Sequence, residues 1–212
     1  MIYNLDAVID AARDDLTAKN AVRDLTLARS RSLIRFCANS IRATHRHEYE
    51  DAQGLFEEAK AASRVMCDEA CVYPDVYYAG YLQDGMKELV EAAVTLALVT
   101  SDSVPTPEDL EVDSATYLNG LAEAIGEMRR FALDSLRRED IAEAERLLQI
   151  MDDVYSQLVT IDFPDSLTRG LRRNTDRVRG VTERTRGDLT LTVRQEQLRA
   201  ELRAFQTRLD AE

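Results

Sequence analysis

Tryptophan is absent from this 212-residue chain, aromatic residues make up only 6% of it, and it holds just eight glycines and four prolines. So little turn-forming material excludes an all-β fold, whose many tight turns draw on glycine and proline. No apolar run approaches the ~20 residues that a bilayer-spanning helix needs. The opening MIYNLDAVIDAARDD is acidic from its first turn, unlike a secretory or transit peptide, so a cytoplasmic protein without a membrane partner is expected. Three cysteines, Cys37, Cys67 and Cys71, make no disulfide framework, and reduced thiols are expected. Cys67 and Cys71 stand one helical turn apart and offer half of a metal site. Without a second Cys or His pair at ligand spacing, small buried residues are the favoured reading for both.

Lysine is nearly missing too. Three lysines (Lys19, Lys60, Lys87) stand beside 24 arginines, and the net charge is -12. That balance argues against a generic nucleic-acid coat protein, which would be basic. An acidic, lysine-poor, arginine-retaining composition resembles the proteins of salt-loving archaea. At ~1 M ionic strength exposed charges are screened beyond about 3 Å, so the acidity does not exclude RNA as a partner.

What remains is Ala, Leu, Glu and Arg, the strong helix formers, with 45% hydrophobic residues, enough for a sizeable core. The chain reads as all-α. Apolar residues at three-to-four spacing predict one long helix, or two collinear ones, over 4–45, with Asn20 as a weak point. After the break HRHEYEDA, periodicity resumes over 48–71. Pro74 opens a third helix reaching to about 100, and TSDSVPTPEDLEVDSA is a loop. A fourth helix is predicted over 113–138, and a fifth over 140–159 with Asp140 as N-cap. A sixth, rich in arginine, runs over 165–186 and breaks at Gly187-Asp188. A final segment to 211 puts Leu191, Leu198, Leu202, Phe205 and Leu209 on one stripe, suited either to packing on its own domain or to an oligomer contact. The domain reading is a helical body over 1–187 with a C-terminal helical extension over 188–212.

Chemistry concentrates on two helices. Glu88 and Glu91 stand at i and i+3, and Glu123 and Glu127 at i and i+4, so each pair shares one helix face. Gly120 precedes Glu123 by a turn and Gly126 directly precedes Glu127. Each glycine costs a helix about 1 kcal/mol relative to Ala, so two within seven residues suggest close packing or binding there. On adjacent antiparallel helices the two pairs would repel unless a cation or protons compensate. Carboxylate oxygens are hard ligands suited to Mg²⁺, Mn²⁺ or Ca²⁺ rather than zinc. A di-iron bundle would want Glu-x-x-His, and neither His45 nor His47 follows a glutamate at that spacing. By spacing alone a solvated acidic face remains the commoner reading.

The string Tyr117-Leu-Asn-Gly-Leu-Ala-Glu-Ala-Ile-Gly-Glu-Met-Arg-Arg130 resembles the Trax signature of Tyr-Leu-Leu-Gly followed by Asp-Leu-Thr-Gly-Glu-Leu-Met-Arg. Lys87-Glu-Leu-Val-Glu-Ala92 is similar to the Gln-Glu-Tyr-Val-Glu-Ala of the same subgroup. Arg31-Ser-Leu-Ile-Arg35 and Ile41-Arg-Ala-Thr-His-Arg46 resemble the first-helix pattern of archaeal members. From about residue 10 to 187 the chain is therefore similar to the translin/Trax superfamily, which implies a bundle of six to seven long helices. Trax members bind divalent metal through acidic residues and cut single-stranded RNA. The resemblance carries those roles, catalytic and metal-binding, onto Glu88, Glu91, Glu123 and Glu127, with Mg²⁺ or Mn²⁺ as the ion. Glu123 stands where the eukaryotic pattern has Asp.

The resemblance also implies a hollow homo-octamer with RNA, and single-stranded DNA, as nucleic-acid partners. Phosphates need cations, and the candidates are Arg42, Arg46, Arg129, Arg130, Arg173 and Arg177. Translin's basic patch is not reproduced at Tyr77-Tyr78-Ala-Gly-Tyr-Leu-Gln-Asp. Three functions stay open: a metal-dependent endoribonuclease, a non-catalytic nucleic-acid-binding shell, and a structural helical interaction protein.

Overall fold

The computed structural model describes residues 4–100 and 102–210, and among them all regular structure is helical. The elements are α1 (Leu5–His45), α2 (Tyr49–Ala70), α3 (Pro74–Tyr77), α4 (Gly80–Thr100), α5 (Ser114–Arg137), α6 (Ile141–Leu158), α7 (Asp165–Thr168) and α8 (Leu171–Leu209). Ser101 of the expected loop and the expected helix end at residue 211 lie outside the described residues. No described helix is long and apolar enough to cross a membrane. The chain divides into two compact units, 1–120 and 121–212.

In the first unit α4 packs on α1 and α2. Leu33, Cys37, Ala52, Met66, Leu82, Leu89, Val90 and Val94 are fully buried there. Helix α1 passes Asn20 unbroken, because the side-chain amide donates to Asp24 on the outer face (3.1 Å) and leaves the backbone ladder intact. The helix predicted from Pro74 to 100 is instead split into α3 and α4. Tyr78 leaves helical geometry (φ -89°, ψ 9°), and the Gln83 side chain, rather than a backbone amide, donates to the Tyr77 carbonyl (2.9 Å).

The first two turns of α5 run parallel to α4, not antiparallel as expected. Thr116 donates to the Gln83 side chain (2.9 Å), and four residues on, Gly120 meets Lys87 and Val90. The loop after α4 must therefore bring the chain back along the length of that helix. It is anchored on the way, with Leu110 buried and the Tyr117 hydroxyl donating to the Pro105 carbonyl (2.7 Å).

The second unit holds the rest of α5 with α6, α7 and α8, of which α6 packs on α8. Asp140 caps α6 as predicted, accepting from the Glu143 amide (3.1 Å). The arginine-rich helix starts later than predicted: Arg169 (φ 50°) and Gly170 (φ 89°) turn the chain between α7 and α8. Its predicted break at Gly187-Asp188 does not occur. The helix runs straight through, since a glycine with all its neighbours in helical geometry costs only about 1 kcal/mol. One face of α8, Leu171, Thr175, Val178, Thr182, Thr185 and Leu189, is buried, whereas Leu191, Leu198, Leu202, Phe205 and Leu209 are exposed.

Candidate metal and nucleic-acid site

Helix α4 is sunk in its unit along most of its length, so its few charged side chains are exceptions. Glu88 and Glu91 are half-buried on one face. That face looks toward α1: burial pushes the Cys37 thiol up to about 12, and the nearby Glu88 and Glu91 carboxylates add to the rise. Between Glu88 and Glu91 stand Leu89 and Val90, both part of the core.

Helix α5 meets α4 through glycine. A Cβ on Gly120 would lie 2.6 Å from the Val90 Cβ and 2.7 Å from the Lys87 carbonyl oxygen, so only glycine admits this approach. At Gly126 nothing described lies within 4 Å of a Cβ, and the residue is exposed. Of the close packing or binding expected at these glycines, packing is found at Gly120 and, among the described residues, not at Gly126. Glu123 and Glu127, both half-buried, follow on the same helix. Glu123 accepts an ion-paired hydrogen bond from Arg177 of α8 (3.3 Å). A separation of 54 positions along the chain gives no linear signal, and sequence reasoning had placed Arg177 only as a phosphate contact.

The cationic candidates divide by unit. In the first, Arg42 donates to the Asn39 side chain and Arg46 pairs with Glu48 at the end of α1. In the second, Arg129 is tied to Asp188 (2.9 Å) and the Thr185 hydroxyl (3.0 Å), while Arg130 and Arg173 are exposed. At 100° per residue, Arg173, Arg177 and Arg184 form a stripe opposite the buried face of α8. On either helix the donors are carboxylate oxygens, which suit a hard divalent cation better than a soft one.

Comparison with known proteins bears on the family and the fold. An uncharacterised protein of Methanocaldococcus jannaschii is 30% identical over 200 residues, covering 93% of this chain and 88% of that protein. The structure of AfC3PO in complex with duplex RNA is similar at 34% identity and a TM-score of 0.80, covering 87% of this chain and 95% of that one. Apo-NeC3PO, at 23% identity and a TM-score of 0.79, shares the fold. The pattern of the Translin family matches residues 11–179. The chain belongs to the Translin family.

Proposed function

We propose that this Translin-family chain is a divalent-metal-dependent endoribonuclease acting on single-stranded or small structured RNA, within a cytoplasmic homo-oligomer. The observation that carries the reading is the glycine contact between α5 and α4. It fixes a parallel register in which Gln83 faces Thr116 and Lys87 faces Gly120. Glu88 with Glu91 on α4, and Glu123 with Glu127 on α5, each make a half-buried acidic pair on one helix face, and like charges so close call for a cation.

Glu88, Glu91, Glu123 and Glu127 would hold Mg²⁺ or Mn²⁺. Bound there, the ion would polarise a phosphoryl oxygen and acidify an attacking water. Glu88, Glu123 and Glu127 are assigned as direct or water-mediated ligands, and Glu91 as a ligand or as the group that orients the water. Arg177, already on Glu123, is placed to meet a phosphate next to the acids. Exposed Arg130 and Arg173 would neutralise further phosphates. AfC3PO, 34% identical, has been solved with duplex RNA, which supports RNA as the partner here. The assembly proposed is the hollow octamer of the family resemblance, with single-stranded DNA as a second, uncut ligand.

The test is incubation of labelled RNA with the protein in high salt, with and without Mn²⁺ or Mg²⁺. Metal-dependent cleavage, lost in Glu123→Gln and Glu127→Gln, is expected. Cleavage that survives both substitutions contradicts the site. One observation favours a second reading, a non-catalytic RNA-binding shell: Arg177 supplies Glu123 with a positive partner and no metal is required for it. RNA bound but uncut under every metal would select that reading.

A further inference from the structure

A cavity of about 440 Å³ opens in the first unit, away from the glutamates, and its wall holds three sulfur atoms: Cys67, Cys71 and Met86. Cys67, in the last turn of α2, is half-buried and sends its thiol to the Met86 sulfur (3.7 Å). Cys71, one turn on at the helix end, is exposed; its thiol donates to the Asp68 carbonyl (3.0 Å). The sequence expectation of two small buried residues therefore fails, since neither thiol is packed away as Cys37 is. Tyr77 also lines the cavity.

We propose that Cys67, Cys71 and Met86 form a binding site for a soft monovalent cation of the Cu(I) class. Two thiols and a thioether are the ligands that select Cu(I) over hard ions. Cysteines at i and i+4 project from one helix face, and Met86 reaches the same space from α4. The binding step balances without redox change: one Cu(I) replaces two thiol protons, which leave to solvent. Binding accordingly tightens as pH rises.

The experiment is anaerobic titration of the reduced full chain with Cu(I) against a chromogenic chelator, with circular dichroism to confirm folding. One equivalent held per chain is expected, unaffected by Cys37→Ala and by excess Mg²⁺. Cys67→Ser and Cys71→Ser should each weaken it by about 100-fold or more, and Met86→Leu by about 10-fold, since even outer partners cost 10–100-fold. Apparent affinity should rise between pH 6 and 8. Folded wild-type protein that yields all its Cu(I) to the chelator overturns the proposal, as does retention unchanged in both serine variants.

Discussion

Helices α4 and α8 carry charge in opposite ways. Along α4 the residues from Ala92 to Ala97 are buried without exception, so each charged side chain on it stands out against apolar neighbours. Along α8 charge is the rule, and it is the six packed positions from Leu171 to Leu189 that stand out. A glutamate on α4 therefore carries information that an arginine on α8 does not. On the acidic, arginine-rich surface, ion pairs such as Arg186 with Asp152 and Glu183 are ordinary, and exposed pairs are worth at most about 1 kcal/mol.

The contrast can be sharpened by substitution, beginning with the largest expected effect on stability. Leu89→Ala, at a fully buried site between the α4 glutamates, should cost about 2–5 kcal/mol. Leu198→Ala on the exposed stripe of α8 should fall within about 0.5 kcal/mol in the isolated chain. Paired denaturation curves check this, and equal losses would mean that the α8 stripe is packed. Next comes Gly120→Ala, whose methyl meets a backbone oxygen that cannot yield; overpacking of this kind costs about 1–3 kcal/mol. Gly126→Ala has open space and should stabilise by up to about 1 kcal/mol through helix propensity. Melting temperatures moving in opposite directions are the expected outcome.

The smallest effect belongs to α8. Arg173→Ala should lower the salt slope of RNA binding by about one and leave cleavage of bound RNA intact. Arg177→Ala should instead change cleavage, because Arg177 touches Glu123. Fluorescence anisotropy across a salt series, run beside the cleavage assay, separates the two.

The helical class and most helix bounds were legible because Pro74, Asp140 and the proline-rich loop are local signals. What escaped were features decided by tertiary contact. The split at Tyr78 depends on Gln83 reaching back to a carbonyl. Helix α8 continues through Gly187 because nothing nearby exploits the glycine. The parallel start of α5 is invisible in a pattern that shows only periodicity, yet it is what brings Gly120 onto Lys87 and Val90. Of the site itself, the spacing gave the two faces, and the glycine at 120 gave the close approach. The pairing of Arg177 with Glu123, across 54 residues, had no signal in the chain, and neither had the cavity that gathers Cys67, Cys71 and Met86.

The central claim is that glutamates from both α4 and α5 hold one divalent ion. Its most direct measurement is Mn²⁺ binding followed by electron paramagnetic resonance in high salt, which suppresses loose association with exposed carboxylates. The account predicts tight Mn²⁺ in the wild type, displaced by Mg²⁺, and lost in Glu88→Gln and in Glu123→Gln alike. Binding that persists in either variant as in the wild type, or no tight Mn²⁺ at all, would contradict it.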